Sequence, residues 1–258
     1  MGRILHLQLV LALFWIFPYT AMGQPGREDS SAYFPSYYWN TLELVERPLQ
    51  WKGEQWVAVG AGASFVGSML IFDEPINATI MNWNGPFARG LGKTGDVVGG
   101  PYLQFGLSGS AILFGYLTEN KPLTNFGTDN LQAQVFSAGA TLLLKHLTHR
   151  ERPDQFRGAA KWHGPLVGWE HRSFSSGHTA LAFSTATMAY LHSGKKWWVA
   201  VAGYGAASAI GISRMQQQQH WSSDVVMGAL VGTVMSNFVF KMQERRRYHG
   251  AEILKPVP

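Results

Sequence analysis

Cysteine is absent from the 258-residue chain, so neither a disulfide framework nor a thiolate metal site can be invoked. Charge is sparse, at 14% of residues, and the net charge is +5. That surplus favours anionic partners but is far from the basic footprint of a nucleic-acid-binding domain. No internal repeat is visible, and no metal-ligand set such as His-Glu-x-x-His occurs. His146, His149, His163 and His171 therefore read as loop or supporting groups rather than ligands. What is plentiful is glycine (29) and tryptophan (10), which implies close helix packing and bulky aromatic anchors. With 46% hydrophobic residues the chain can bury one sizeable core, placed here over residues 55–242.

Residues 1–23 have the form of a secretory leader. Arg3 supplies the positive start, Ile4 to Phe17 an apolar stretch, and Ala21-Met22-Gly23 a small-x-small cleavage site before Gln24. Cleavage is the favoured reading and an uncleaved anchor the alternative; either way the chain is expected to be exported to a periplasm or cell envelope. Residues 24–54 are polar and aromatic, with Pro25, Pro35 and Pro48, and read as an extended arm. Lys241 onward, with residues 243–258 set apart, reads as a basic tail.

Six apolar segments lie between: Trp56–Phe72, Val97–Leu117, Asn130–Thr148, His178–His192, Trp197–Ser213 and Trp221–Met242. They are rich in Ala, Gly, Leu and Val without sustained alternation, so helix is expected throughout. Turn chemistry separates them at Asp73-Glu74-Pro75 and at Asn82-Trp83-Asn84-Gly85-Pro86. The segments fall in the range shared by buried helices and membrane spans. Lys121, Lys195-Lys196 and Arg245-Arg246-Arg247 all sit at one set of segment ends, as the positive-inside rule requires of an outward-facing site at the other. A cleaved leader followed by six spans would instead put that site in the cytoplasm. The mean hydropathy of −0.04 weighs toward a soluble or membrane-associated helical body.

Three polar motifs fall at the other set of ends. Lys145-His-Leu-Thr-His-Arg-Glu-Arg152-Pro153 closes the third segment, with Lys145 and Arg152 two turns apart if the helix continues that far. Arg172-Ser-Phe-Ser-Ser176-Gly177-His178 precedes the fourth, where a hydroxyl and helix N-terminal amides can cradle an anion. Ser213-Arg214-Met-Gln-Gln-Gln-Gln-His220-Trp-Ser-Ser-Asp224 joins the fifth and sixth. If Trp221 to Ser223 begin a helix, His220 and Asp224 share a face and the carboxylate can orient the imidazole. A turn near Ser193-Gly194-Lys195 folds segments four and five into a hairpin, which brings all three motifs to one end of an up-down bundle. Trp162, Trp169 and Trp221 flank them as entrance or packing groups.

The ordered set Lys-x6-Arg-Pro, Ser-Gly-His and Ser-Arg-x5-His-x3-Asp resembles the type 2 phosphatidic acid phosphatase superfamily, which also holds bacterial acid phosphatases and vanadium haloperoxidases. One position departs: the residue before Ser176-Gly177-His178 is Ser175 where the family has proline. The resemblance implies an all-α, six-helix bundle over about residues 55–242 and a metal-independent phosphatase. His220 would be the nucleophile, Asp224 its orienting partner and His178 the acid for the leaving alcohol. Lys145, Arg152, Ser176, Gly177 and Arg214 would hold the phosphoryl oxygens. The substrate would be a phosphorylated lipid or a small phosphomonoester, with no cofactor and with vanadate binding as a phosphate mimic. The alternatives are a vanadate-dependent haloperoxidase using the same residues and a non-catalytic envelope scaffold.

Overall fold

The computed structural model describes residues 33–83, 85–165 and 172–249. The expected leader, Trp169, His171 and residues 250–258 lie outside them. Every regular element among the described residues is helical: α1 Tyr33–Glu46, α2 Gly53–Met81, α3 Pro86–Gly99, α4 Pro101–Leu117, α5 Lys121–Thr148, α6 Gly177–His192, α7 Trp197–Gln216 and α8 Ser222–His249. The all-α expectation holds among the described residues, while the six helices expected over about residues 55–242 become seven, α2 to α8, with α1 ahead of them. Short 3-10 turns follow α1 at Arg47–Gln50 and α5 at Pro153–Gln155.

Three departures have local causes. The expected arm contains α1, because Pro35 falls in the first turn, where a missing N–H costs nothing. The turn expected at Asp73-Glu74-Pro75 is absent, since α2 runs through it with Pro75 inside the helix. Asp73 is fully buried there, and its partners, described below, hold the backbone helical against the proline. The segment Val97–Leu117 is broken at Gly99-Gly100-Pro101 into α3 and α4, which meet at a bend of 50°.

The chain forms two compact units, residues 1–52 with 242–258 and residues 53–241. In the first, α1 turns Ser36 and Asn40 inward, one helical turn apart. Gln243 Nε2 donates to Ser36 Oγ at 3.2 Å and Arg246 Nη2 to Asn40 Oδ1 at 2.5 Å. The part of the expected tail up to His249 is thus helical and engaged.

In the second unit α5 packs on α4 and α6, α6 on α7, and α7 on α3. The α6–α7 hairpin turns where expected, with Gly194 (φ 73°) and Lys195 (φ 64°) in left-handed conformations. Its core is built from small side chains, Ala182, Ala186, Ala207 and Ile210 against Phe183 and Tyr204, so backbones approach closely. A Cβ at Gly232 of α8 would lie 2.1 Å from the Ala180 carbonyl of α6, and one at Gly228 2.4 Å from that of Ser176. Gln104, Ser108, Asn130, Gln134 and Thr185 join α4, α5 and α6 through buried side-chain hydrogen bonds of 2.7–3.3 Å.

The exterior is the reverse. Trp56, Val57, Phe65, Ile71 and Phe72 of α2 are exposed, and only 6% of that helix's apolar window is buried. Both α2 and the Ser222–Arg247 stretch of α8 are long and apolar enough to cross a membrane, and the bent α3–α4 pair would add a third span if it acts as one. Apolar exposure on this scale is suited to lipid and not to water. The body has an exterior suited to membrane association. Its low mean hydropathy comes from polar residues sequestered inside and in connectors.

Close packing at Gly232 generates a prediction. Gly232→Ala pushes a methyl into backbone that cannot yield and should lower stability by roughly 1–3 kcal/mol. Gly60→Ala, where nothing lies within 4 Å, should be neutral or slightly stabilising. Thermal unfolding midpoints of both variants in detergent check the contrast.

Candidate active site

The centre of the site is the connector between α7 and α8. Trp221 caps α8: its carbonyl accepts from Val225 N at 3.2 Å, and its own amide donates to Asp224 Oδ2 at 2.9 Å. Asp224 is therefore a first-turn carboxylate at a helix N-terminus, where the dipole favours its charge. His220 stands just outside the helix and is almost fully buried. Its Nδ1 lies 3.8 Å from Asp224 Oδ2, beyond hydrogen-bond range, and has no hydrogen-bond partner. Asp224 is already engaged elsewhere. Oδ2 also accepts a short bond from Ser173 Oγ, and Oδ1 accepts from Arg150 Nη1 at 2.7 Å.

Arg150 is the residue that reading the sequence missed. It is wholly buried and uses all five donors: Nε and Nη2 to the Ala159 carbonyl (3.1 and 2.8 Å), Nη2 to Asp73 Oδ2 (2.6 Å), and Nη1 to Ser223 Oγ and Asp224 Oδ1 (both 2.7 Å). Trp162 and Trp221 flank its guanidinium, 4.6 and 5.5 Å from the ring centroids. Asp73 accepts in addition from Ser222 Oγ, Ser223 N and Ser223 Oγ, at 2.6–2.8 Å. The signal for Asp73 was available as an acid at the end of the long apolar run Trp56–Phe72. Arg150 was hidden among the unspecified positions between Lys145 and Arg152.

The first motif does not form one helical face. Helix α5 ends at Thr148 and His149 takes the left-handed cap conformation (φ 41°). Arg152 is extended ahead of Pro153, and its Nη1 donates to Gln219 Oε1 of the α7–α8 connector. Lys145 remains in the last turn of α5, with Nζ donating to the Arg172 and Ser173 carbonyls at 2.8 and 3.3 Å. Burial pulls its ammonium down to a pKa of about 7, with Arg152, Arg172 and Arg214 adding repulsion and Asp224 opposing them.

In the second motif Ser176 occupies the cap position of α6. It is fully buried, its amide donates to the Asp224 carbonyl at 2.9 Å, and its Oγ accepts from Thr179 Oγ1 at 2.9 Å. Beside Gly177 only Thr141 Oγ1, at 4.0 Å, would meet an added Cβ. His178 follows in the first turn, half-buried. Burial lowers its pKa to about 4, helped by Arg214 and Lys145 and opposed by Asp96. Burial likewise lowers His220 to about 3, against the pull of Asp224. Both rings are neutral at pH 7 in the free protein. Arg214, buried at the end of α7, donates through Nη1 to Asp96 Oδ1 and Gln217 Oε1, both at 2.5 Å; its Nε is buried without a partner.

All eight sequence-selected residues thus come to one end of the second unit. Two were expected to bond and stand apart, His220 and Asp224; two were expected on one helix and are not, Lys145 and Arg152. Of the histidines expected in supporting roles, the three described are engaged elsewhere: His146 with the Leu142 carbonyl, His149 with that of Gly164 and His163 with Glu151, at 2.7–2.8 Å. Trp221 is a packing anchor, buried and donating to the Glu151 carbonyl at 2.9 Å. A separate groove of about 450 Å³ between α2 (Leu70, Ile71, Pro75) and Ala159–Trp162 contains none of the eight.

The arrangement is an all-helical anion site: two neutral imidazoles, three cations and a helix N-terminus gathered at one bundle end. Residues 130–248, the region that carries all three motifs, match the model of the PAP2 superfamily. Over 123 residues, 47% of this chain and 25% of the relative, it is 35% identical to a lipid A 1-phosphatase of Porphyromonas gingivalis. Over 91 residues, 31% of this chain and 28% of the relative, it is 34% identical to lipid phosphate phosphatase 1 of Arabidopsis thaliana. The chain spans about a quarter of the length of these curated relatives. The fold is shared with two crystal structures. Aquifex aeolicus LpxE superposes with TM-score 0.52 at 24% identity, over 66% of this chain and 95% of that one. The first transmembrane PAP2 type phosphatidylglycerolphosphate phosphatase from Bacillus subtilis does so with TM-score 0.55 at 19% identity, over 83% and 95%.

The Arg150 network generates the second prediction. Arg150→Ala leaves Asp73 and Asp224 buried and uncompensated and should cost about 3–5 kcal/mol. Arg150→Lys keeps the charge but supplies three donors where five are used, and should rescue little. Chemical denaturation of the two variants, followed by helical circular dichroism, measures both.

Proposed function

We propose that the chain is a metal-independent phosphatase of lipid phosphate esters that works through a phosphohistidine on His220. One observation carries the reading: a buried neutral imidazole stands against the carboxylate Asp224 and faces the charges of Lys145 and Arg152. A neutral ring is the nucleophilic form. Asp224 steadies the positive charge the ring acquires on phosphorylation. Lys145, Arg152 and Arg214, with Ser176 and Gly177 at the α6 N-terminus, hold the phosphoryl oxygens and stabilise the charge that builds in the transition state. His178 gives a proton to the departing alcohol and then accepts one from the water that releases phosphate from His220. It is neutral in the free protein, so the incoming phosphate dianion must raise its proton affinity. Fixed cations and backbone donors supply the stabilisation, and no step requires a metal.

The substrate class rests on the exterior. A site at the end of helices with apolar, lipid-suited faces meets a phosphate whose ester is anchored in the bilayer, and the names of the two curated relatives point the same way. Export to the envelope, with the site facing outward, is the matching topology, since Lys121, Lys195 and Lys196 sit at the opposite ends of the helices.

His220→Asn should reduce phosphate release from a lysophosphatidic acid micelle at least about 10³-fold and abolish the acid-labile phosphoenzyme trapped in wild type. Near-wild-type turnover in that variant overturns the assignment. EDTA should leave activity unchanged and vanadate should compete with substrate.

Lys145 gives a pH prediction whose sign is fixed. Its ammonium is present below about pH 7 and lost as pH rises through that value. Phosphate monoesters are already dianionic there, with a second pKa of about 6. KM should therefore rise several-fold between about pH 7 and 9, and Lys145→Arg, charged throughout, should flatten the rise. Steady-state kinetics across that range provides the check.

A further inference from the structure

Helix α3 precedes the region that matches the superfamily model, yet it reaches into the site. Gly92, Gly95 and Gly99 recur at three- and four-residue spacing and so line one face. Cβ atoms there would lie 2.2 Å from Gln216 Oε1, 2.0 Å from Ser213 Oγ and 2.4 Å from Ile210 Cγ2. The glycines therefore seat α3 on α7 at backbone distance, and Gln217 Nε2 fastens it by donating to the Gly92 carbonyl at 2.7 Å. The next residue after Gly95 is Asp96. One carboxylate oxygen, Oδ1, pairs with Arg214 Nη1 at 2.5 Å and lies 3.5 Å from His178 Nε2. A Cβ added at Gly99 would also lie 3.4 Å from His178 Cβ and 3.5 Å from its ring Cδ2, so α3 closes on this side chain as well.

We propose that Asp96 is the positioning residue for the leaving-group acid, holding His178 by its Nε2 side. The inference rests on the phosphohistidine reading of the site. The charged groups facing His178 are Arg214 from α7, Lys145 from α5, and Asp96, side chain and backbone, from α3. Two are cations that oppose an imidazolium, and Asp96 is the only anion of the three. The proton sequence needs that anion. As the P–O(ester) bond breaks and the P–N bond to His220 forms, the His178 proton passes to the alkoxide and alcohol leaves. Water then returns a proton to His178 while its oxygen displaces His220 from phosphorus. Asp96 changes neither its bonds nor its charge. Arg214 can serve both partners at once: Nη1 is given to Asp96 and Gln217, while the buried Nε is unpartnered.

The carboxylate is 53% exposed, so its ion pairs add little to stability. A purely structural role is thereby separable from a chemical one. The full chain in detergent would be assayed as wild type, Asp96→Asn and Asp96→Glu on two esters. One is p-nitrophenyl phosphate, whose phenolate leaves without a proton; the other is octyl phosphate, whose alkoxide needs one. The expected result for Asp96→Asn is a fall in kcat of about 10²-fold on the octyl ester and at most a few-fold on the nitrophenyl ester. The basic limb of the kcat profile on the octyl ester should move to lower pH, because the acid form of His178 has lost its counter-charge. Asp96→Glu should recover part of the octyl activity, and unfolding midpoints should stay within about 2 °C of wild type.

Equal losses on both esters, or none on either, overturn the proposal, as does a raised KM with kcat intact. A wild type that releases phosphate from neither ester overturns the phosphatase reading and this inference with it.

Discussion

The guanidinium of Arg150 is the interaction on which the rest of the second unit depends. An arginine taken out of water is tolerable only when every donor is met and its charge is balanced. Here five hydrogen bonds meet five donors, and two carboxylates, Asp73 and Asp224, stand against one cation. The cluster joins three parts of the chain remote in sequence: the C-terminal third of α2, the loop after α5 and the first turn of α8. It leaves a net negative charge behind His220, opposite the cations that face the connector. The site is therefore polarised by construction, with compensated charge in the core and Lys145, Arg152 and Arg214 on the side where a phosphoryl group would sit.

That polarity explains a feature at odds with a simple histidine–aspartate pair. Both oxygens of Asp224 are occupied by Arg150, Ser173 and the Trp221 amide, so the carboxylate is locked while His220 stands 3.8 Å away with Nδ1 unpartnered. A neutral imidazole gains only a modest bond from closing the gap. In the proposed mechanism phosphorylation would make it cationic, and attraction to a desolvated carboxylate would then grow steeply. The geometry thus favours the pair more in the intermediate than at rest, which is the differential that accelerates a step.

How much of this the sequence disclosed depends on which physics governed each part. The motif residues were legible because their chemistry is local: Ser-Gly at a helix start, a basic residue before proline, His and Asp four apart. The α6–α7 hairpin was legible from its Gly194 turn. The failures lie where tertiary contacts override local signals. Asp73-Glu74-Pro75 has turn chemistry, yet α2 passes straight through because Asp73 is clamped by Arg150, Ser222 and Ser223. Residues 86–99 carry four glycines and are poor helix formers by propensity. Three of them, Gly92, Gly95 and Gly99, permit the close seat on α7 that makes α3 a helix. The aromatic run at Tyr33–Trp39 gave no helical period because Ser36 and Asn40, its buried positions, are polar.

Asp73 also ties membrane to chemistry. Helix α2 presents an apolar exterior along most of its length, and the carboxylate of Asp73, buried in its C-terminal third, is costly unless paired inside the bundle. Arg150 and the α8 N-terminus provide that pairing. Through Ser222 and Ser223, Asp73 couples α2 to the turn that carries His220. A shift of α2 would have to drag the buried ion cluster with it or break it. If the apolar faces of α2 lie in lipid, as their exposure suits, that coupling would hold the connector at a constant height for a phosphate anchored in the bilayer, the substrate proposed above.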